Sequence, residues 1–226
     1  MRLRFLKPVN GWSAFFTELA IVVLGVLIAL GAQQAIDAAR WRSEVAEFRA
    51  ALDNELGYNF GAYRERLEQS KCITGRLDQL DRFQRASAKG ERLRLTSAIR
   101  RPTSLALGTS VWQSRTPDVA SHLGLKARLA YATLYDGMEN YAYIRTNERE
   151  VWNEMLDFEG AGPLDRQDLI RLRGLIERGR LFDRFISTNW PNIQNDGNEA
   201  GIRPWRRPGE NPADPLLCKP LTWQPV

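Results

Sequence analysis

Few residues of this chain combine side-chain types and spacings that could do chemistry. The single histidine, His122, has no Cys or His companions at the spacing of a zinc site, and a lone histidine is usually structural. Gly108 and Ser110 match the start of the nucleophile-elbow pattern G-x-S-x-G, but Trp112 stands where the closing glycine belongs. The sequence also has no glycine-rich loop that could cradle a phosphate. We therefore expect no enzymatic activity, no metal ion and no cofactor.

Acidic side chains crowd the second of the long helices that the sequence predicts. Glu150 and Glu154 share one helix face at one-turn spacing, so they could hold a cation or act as acid and base. The alternative, which we favour, is a solvated face whose acids pair with Arg145 and Arg149. The acidic residues of this helix are Glu148, Glu150, Glu154, Asp157 and Glu159.

Basic residues are concentrated in one segment. Seven of them and a single acid, Glu91, lie between positions 82 and 101, whereas the whole chain has a net charge of +5. Such a segment could bind lipid headgroups, an acidic partner surface or a nucleic acid. We favour a solvated loop and helix end, and we expect no nucleic acid partner because no binding motif accompanies the charge. The basic residues are Arg82, Arg85, Lys89, Arg92, Arg94, Arg100 and Arg101.

The chain has two cysteines, Cys72 in the first long predicted helix and Cys218 near the C-terminus. Outside the cytoplasm a pair of cysteines tends to be oxidised. A disulfide between them would close a loop of about 146 residues and stabilise the fold by several kcal/mol in the chain-entropy model. We predict this bridge, with two separate thiols as the alternative.

An apolar segment from Gly11 to Ala32 is the clearest element of the sequence. Its 22 residues carry one charge, Glu18, and an unbroken apolar run extends from Leu19 to Leu30. Crossing the hydrocarbon core of a bilayer, about 30 Å thick, takes roughly 20 helical residues, so the segment predicts a transmembrane helix. Trp12 and Trp41 would lie roughly 43 Å apart along this helix, which matches the aromatic belts at the two membrane surfaces.

Basic residues before the apolar segment bear on both processing and orientation. They would suit a cleaved signal peptide, which stays an alternative, but the segment continues into helix formers rather than a cleavage box followed by a turn. The positive-inside rule favours a cytoplasmic N-terminus, because the first basic group is compact and includes the free amino terminus. We predict a single-pass protein of the bacterial inner membrane, with residues 1–10 in the cytoplasm, 11–35 in the bilayer and the remainder in the periplasm. The preceding basic residues are Arg2, Arg4 and Lys7.

One face of the predicted spanning helix carries its only acid and most of its small residues. Glu18, Gly25 and Ala32 recur every seven residues, with Val22 and Ala29 between them. Small residues let helices approach closely in lipid, and a carboxyl group inside a membrane usually faces a partner. This face predicts packing against a second copy or another membrane subunit. The alternative is that Glu18 lies near the lipid headgroups and that the small residues do not pack against another helix.

The string from Glu18 to Leu30, with its G-V-L-I-A-L motif, is followed by Gln33 and Trp41. It resembles the amino-terminal signature of a group of uncharacterised bacterial membrane-anchored proteins, grouped as a domain of unknown function. That resemblance implies an anchor preceding a helical domain of similar size, and it brings no catalytic residues. The segment is also similar to type IV pilins and pseudopilins, but their processing site is missing because Ser13 and Ala14 stand where it requires Gly and Phe.

Apolar residues at helical spacing continue the first helix beyond the membrane and predict two more long helices. The second is expected from about Leu125 to Phe158, and the third after Asp165, a candidate N-cap. Thr116 followed by Pro117 marks a shorter helix. Three long helices favour an antiparallel bundle over residues 36–190, so the predicted fold class is all-α.

Residues 191–226 contain seven of the eleven prolines, beginning with Pro191, and are therefore expected not to form helix. Apolar residues such as Trp205 and Trp223 distinguish this segment from a disordered tail. We predict an irregular, proline-rich tail that packs along the bundle.

These features predict a non-enzymatic, membrane-anchored structural or accessory protein. Its expected partners are the lipid bilayer and either other membrane protein subunits or a second copy of itself. The alternative is a periplasmic sensor or ligand-binding module with a pocket between the helices, and a pilin-like subunit is a third possibility. The aromatic residues that would line such a pocket are Tyr131, Tyr135, Tyr141, Tyr143 and Trp152.

Overall fold

A computed structural model describes residues 11–103, 105–206 and 214–226. It divides the chain into two compact units, with the boundary between Arg49 and Ala50. The all-α prediction is confirmed, since six helices and two three-residue strands make up the regular structure of the described residues. The predicted cytoplasmic segment 1–10, with Arg2, Arg4 and Lys7, lies outside the described residues. Residues 36–49, predicted as part of the bundle, belong to the first unit.

The helices are α1 (Gly11–Glu68), α2 (Ser70–Ala88), α3 (Ser110–Gln113), α4 (Pro117–His122), α5 (Leu125–Leu156) and α6 (Arg166–Ala200). The strands are β1 (Leu93–Leu95) and β2 (Trp223–Pro225), which pair in antiparallel register with Leu93 opposite Pro225 and Leu95 opposite Trp223.

The first unit is helical throughout its described part, which forms the beginning of α1. Every described side chain from Trp12 to Arg40 is exposed, apart from the partly exposed Ala14. An 18-residue window of this helix has a mean hydropathy of 2.4, and none of it is buried. The helix is thus long and apolar enough to span a membrane, and α1 includes the predicted spanning segment 11–35.

The core of the second unit lies where α6 packs against both α2 and α5. Each helix contributes one apolar stripe, so the interior fills with aliphatic and aromatic side chains and the polar faces point outward. The central residues of this core are Leu77, Leu80, Phe83, Val151, Trp152, Met155, Leu172, Leu175 and Ile176.

Two predicted helix starts are confirmed by their capping hydrogen bonds. Asp165 accepts from the backbone N–H of Asp168, whose carboxylate accepts from the Asp165 N–H, so the two form a reciprocal capping box at the start of α6. The Thr116 side chain accepts from the Val119 N–H and caps α4, with Pro117 in the first turn. In each case a side chain satisfies a backbone donor that the helix itself leaves open.

The prediction that helix ends at Pro191 is wrong, because α6 continues through it to Ala200. Proline removes one hydrogen-bond donor from a helix interior and usually breaks it. Here the residues beyond Pro191 face close partners. Gly197 lies so close to the Phe60 ring that a Cβ on it would clash with the ring. The Ile193 side chain lies at van der Waals distance from the position of a Cβ on Gly137. Tertiary packing of this last stretch outweighs the local cost of the proline.

The irregular tail therefore begins after Ala200, and it packs on the bundle as predicted. Trp205 donates its backbone N–H to Gly57 O at 2.9 Å and its indole Nε1–H to Asn54 O at 2.9 Å. Gly57 and Gly61 make this approach possible, since a Cβ at either position would clash with the backbone or side chain of the 203–205 segment. These glycines sit in the middle of α1 without interrupting it.

Three features fix the last residues of the chain to α2. Cys72 and Cys218 lie at disulfide distance, with their Cα atoms 4.7 Å apart, which agrees with the predicted pair. The buried Arg76 guanidinium donates to the carbonyl oxygens of Leu217 and Lys219. Burial lowers the pKa of Arg76, and the nearby positive charge of Arg100 lowers it further. The pairing of β1 with β2 completes the attachment, and the sequence did not predict either strand.

Candidate functional site

A buried ionic network connects α1, α5 and α6 within the second unit. Arg66 has no exposed side-chain surface, and its guanidinium donates to the Glu148 carboxylate and, at 3.0 Å, to Asp183. Arg145 donates to the second oxygen of Glu148. Burial lowers the pKa of Arg66, but the Glu148 and Asp183 carboxylates raise it by more, so the net shift is upward. The Arg66 guanidinium therefore stays charged across the ordinary pH range.

The interpretation of Glu148 as part of a solvated face is wrong. Its side chain is only 2% exposed, because Arg66 of α1 covers it from the opposite helix. Spacing along α5 shows which acids share a face, but it does not show that a charged side chain from another helix lies against that face. Glu154 is partly exposed and Asp157 is exposed, as predicted, but both pair with Arg171 of α6 rather than with the predicted Arg145 and Arg149.

Two pairs of stacked aromatic rings lie in the core, each with one tyrosine from α5. Tyr63 lies on Tyr141 with ring centroids 3.8 Å apart, and its hydroxyl donates to Ile186 O at 2.8 Å. Tyr135 stacks on Trp112 and donates to Glu55 at 2.7 Å. Burial raises the pKa of the Tyr63, Tyr135 and Tyr141 phenols above their ordinary value. These rings pack tightly against each other, as core residues do.

The aromatic residues proposed for a ligand pocket thus have different places. Tyr131, Tyr135, Tyr141 and Trp152 are buried, whereas Tyr143 is exposed. Tyr131 donates to Asp53 at 2.6 Å. Of the five, Tyr141 and Trp152 line a cavity, and these are two separate cavities.

The loop between β1 and α3 is attached to α1, and to Gln69 between α1 and α2, by a series of side-chain hydrogen bonds. The Gln69 amide donates to Thr103 O and accepts from the Thr103 N–H, both at 3.2 Å. The Asn59 amide makes the same reciprocal pair with Gly108. Glu55 accepts from the Ser110 hydroxyl and the Val111 N–H at the start of α3. These bonds satisfy loop backbone groups that have no strand or helix partner, and they hold the loop over α5.

The loop approaches α5 through a strained residue. Arg100 has a backbone φ of 61°, in the left-handed region that costs a non-glycine residue of order 1 kcal/mol or more. The Glu159 carboxylate holds this conformation by accepting from the Ile99 N–H at 2.6 Å and the Arg100 N–H at 3.4 Å. The turn directs the next residues, Arg101 to Thr103, along the surface of α5.

A cavity of about 230 Å³ lies between this loop and α5, and we call it the Trp152 cavity. Its wall contains three arginines and one carboxylate, and Trp152 is fully buried whereas Arg101 and Arg149 are exposed. The cavity therefore extends from charged groups at the surface to an aromatic ring in the core. The lining residues are Arg101, Pro102, Thr103, Arg145, Glu148, Arg149 and Trp152.

Three buried polar atoms of the Trp152 cavity have no hydrogen-bond partner among the described residues. They are Trp152 Nε1, Arg145 Nε and Thr103 Oγ1. A buried donor without a partner costs about 1–3 kcal/mol, and such groups are rare in folded proteins. These three atoms have essentially no accessible surface, so an acceptor in the cavity cannot reach them in this structure. This arrangement could not be predicted from the sequence, because it depends on the path of the loop.

The residues of the predicted basic segment lie on the surface of the second unit. All seven residues are exposed, but four of them have partners within the described part of the chain. Arg85 pairs with Asp81 at 3.0 Å and Arg100 with Asp214 at 3.7 Å. Arg94 donates to Gly160 O, and Arg101 donates to Asn153. Arg82, Lys89 and Arg92 remain on the surface without such a bond to a described residue, and Arg101 lines the Trp152 cavity.

The residues predicted for membrane contact all lie in the helix of the first unit. Glu18, Val22, Gly25, Ala29 and Ala32 are exposed and fall within about 80° of one another around an ideal helix. A Cβ on Gly25 would meet no atom within 4 Å, so the chain leaves this face open. Trp12 is 55% exposed beside Phe15 and Phe16, and Trp41 is partly exposed.

The remaining chemical candidates have local structural roles. The His122 ring contacts Asp118 O at 2.8 Å within α4, and the Ser110 hydroxyl donates to Glu55. Among the described residues, no group of three His, Cys, Asp or Glu side chains could hold a metal ion.

Comparisons with known proteins found no match to this chain among protein-family models, curated proteins or solved structures. The resemblance to uncharacterised bacterial membrane-anchored proteins therefore stays a prediction.

Proposed function

We propose that this chain is a non-enzymatic accessory protein, anchored in the bacterial inner membrane by the start of α1. The exposed apolar helix of the first unit carries this proposal. Twelve large apolar side chains between Trp12 and Leu30 are exposed. Transfer of such side chains from water into lipid is worth on the order of 20 kcal/mol in total, at about 1.5–3 kcal/mol each. A bilayer supplies the apolar environment that this helix lacks within its own chain.

The orientation that we propose has the N-terminus in the cytoplasm and the helical domain in the periplasm. The Cys72 and Cys218 pair supports this orientation, because disulfides persist in oxidising compartments and are rare in the cytoplasm. A reporter active only in the periplasm, joined after Val226, should be active. Activity of a cytoplasmic reporter at the same position would overturn the orientation.

The small-residue face of α1 supports association with another membrane helix. Gly25 and Ala29 let a second helix approach closely, and Glu18 on the same face can hydrogen-bond to a partner. The partner is another membrane subunit or a second copy of the chain. In either case the anchor contributes to recognition as well as to attachment.

Gly25→Leu tests this face, and Gly31→Leu is the matched control. Gly31 lies on the opposite side of the helix, and neither glycine has an atom near its Cβ position. We expect G25L to abolish co-extraction of partners or self-association in mild detergent, whereas G31L keeps it. A strictly monomeric, partner-free parent chain, or equal behaviour of the two variants, would refute the accessory function.

A second candidate function is ligand binding by the helical domain. The observation that favours it is the Trp152 cavity, whose wall contains three arginines. Helical bundles house binding sites between their elements. This candidate is compatible with membrane anchoring, since the two functions use different units of the chain.

A further inference from the structure

We propose that α1 forms a parallel two-stranded coiled coil with α1 of a second copy of this chain. The inference rests on the proposed function, association through the membrane anchor, and it names the partner and the contact. It concerns only the first unit, whose described residues form one continuous helix.

Uncharged residues recur on one face of this helix at alternating steps of three and four residues, which is the heptad spacing of a coiled coil. Every described side chain of this face is exposed, including Val22 and Ile36 at 63% each. The face extends roughly 36 Å along the helix and continues beyond the predicted spanning segment 11–35. We call it the heptad face. Its a positions are Val22, Ala29, Ile36 and Ser43, and its d positions are Gly25, Ala32, Ala39 and Ala46.

The charged residues that follow the spanning segment avoid the heptad face. Between residues 33 and 49 they occupy only b, e and g positions of the heptad, so no charge interrupts the a and d positions. Ile36 nevertheless leaves a large apolar side chain exposed there, and a matching helix would remove it from water. The charged residues are Asp37, Arg40, Arg42, Glu44, Glu47 and Arg49.

The seven-residue period favours a second copy over an unrelated helix. An ideal straight helix drifts by about 20° per heptad from this period, so two helices stay in contact over several heptads only when both share it. A second copy has the same period. It enters the bilayer through the same segment in the same direction, so the two helices are parallel. Valine and isoleucine at a positions, here Val22 and Ile36, are typical of parallel two-stranded coiled coils.

Charge complementarity beside the heptad face also favours a second copy. In a parallel coiled coil, a g residue of one helix faces the following e residue of the other helix. Arg42 occupies a g position and Glu47 the following e position, and both side chains are exposed. Arg42 of each copy would thus lie beside Glu47 of the other, which gives two ion pairs in the symmetric dimer.

Glu18 fits the same register. One further step toward the N-terminus places it at a d position, where the two Glu18 side chains of a parallel dimer meet. A carboxyl group inside a membrane usually faces a polar partner, and a protonated carboxyl can donate a hydrogen bond to a second one. The second copy therefore supplies a partner for Glu18 without any other subunit.

Cross-linking of neighbouring alanines tests the register. Ala39→Cys places a thiol at a d position, and Ala38→Cys is the matched control, since both alanines are exposed and adjacent in the helix. Membranes containing the full chain, with Cys72 and Cys218 retained, are treated with copper phenanthroline. The products are separated without reduction and identified by mass spectrometry. We expect A39C to yield at least about tenfold more dimer of two identical chains than A38C, because a disulfide forms only between Cβ atoms that lie close together.

Charge reversal tests the ion pairs. Arg42→Glu and Glu47→Arg should each raise the Kd of the dimer in detergent micelles roughly three- to tenfold, because each puts like charges opposite each other twice per dimer. The double variant R42E/E47R should return the Kd to within about twofold of the parent value. Arg40→Glu is the control with the same change of net charge, since its e position faces the uncharged Ala35, and it should leave the Kd unchanged.

Three results would overturn the proposal. The first is an equal yield of dimer from A38C and A39C, which means that the copies meet without a fixed register. The second is failure of R42E/E47R to restore the Kd. The third is an A39C product that joins this chain to a different protein, which refutes the second copy but leaves the accessory function in place. A chain that forms no cross-link and extracts without any partner contradicts the accessory function as well, so the two failures are distinguishable.

Discussion

Glu148→Gln should lower the free energy of unfolding of the helical unit by about 3–5 kcal/mol. The substitution keeps the shape of the side chain and removes its charge. Arg66 would then keep only Asp183 as a counter-charge, and Arg145 would lose its carboxylate partner. Removing one partner of a buried ion pair leaves an uncompensated charge in the interior, and this typically costs about 3–5 kcal/mol.

The matched control is Glu154→Gln on the same helix. The Glu154 side chain is 41% exposed and pairs with Arg171 at 3.7 Å and Arg178 at 3.5 Å. Surface ion pairs contribute about 0–1 kcal/mol, because water screens both charges. The same chemical change at two positions of α5 should therefore differ several-fold in its effect on stability.

Urea unfolding of the oxidised full chain in detergent measures both values. The midpoint shift multiplied by a common m-value gives each change in free energy, provided that the slopes agree. The double variant R66M/E148Q should be at least about 1 kcal/mol more stable than the sum of the single variants implies, since it leaves neither charge of the pair alone. An E148Q cost no larger than that of E154Q, or strict additivity in the double variant, would refute a buried ionic network.

Three further predictions concern the bridge, the glycines and alkaline pH. Reducing the Cys72 to Cys218 pair, or replacing both with Ala, should lower the free energy of unfolding by about 2–5 kcal/mol, and an unchanged urea midpoint would contradict the bridge. Gly61→Ala should destabilise the unit because its Cβ meets the Trp205 backbone, whereas Gly75→Ala, which meets no atom within 4 Å, should stabilise it by about 1 kcal/mol. A change of the melting temperature in the same direction in both variants would contradict the tail packing. Stability should also fall above about pH 10, by up to roughly 1.4 kcal/mol per pH unit for each buried phenol, because the unfolded chain loses these protons before the folded chain does. Urea midpoints between neutral pH and about pH 11 measure this slope. Tyr→Phe variants should make it less steep, and a stability that does not change with pH would contradict the prediction. The buried phenols belong to Tyr63, Tyr135 and Tyr141.

Features coded by neighbouring residues could be predicted from the sequence. Asp165 and Thr116 cap the helices that follow them, because a cap depends on side chains within one turn. The apolar stretch of α1 and the long periodic segments of α5 and α6 follow for the same reason, since periodicity is a local pattern. The continuation of α6 beyond Pro191 was missed, because it depends on contacts with distant parts of the chain.

The candidate site could not be predicted, because residues far apart in sequence build it. Arg66 reaches Glu148 across 82 positions, and Gln69 holds Thr103 across 34. A charged residue at a core register of α1, three positions after the buried Tyr63, was the one local sign that Arg66 faces inward. Nothing in the sequence near Trp152 shows that this residue lines a cavity, since the path of the loop determines this.

The chain mass in alkali-washed membranes tests the membrane anchor most directly. Carbonate washing removes peripheral proteins, and a helix that spans the bilayer stays behind. We expect the washed membranes of an expressing bacterium to contain the intact 25.8 kDa chain. Recovery of a shorter chain, cut after the apolar segment and found in the soluble fraction, would show that the segment is a cleaved signal peptide and would contradict the anchor.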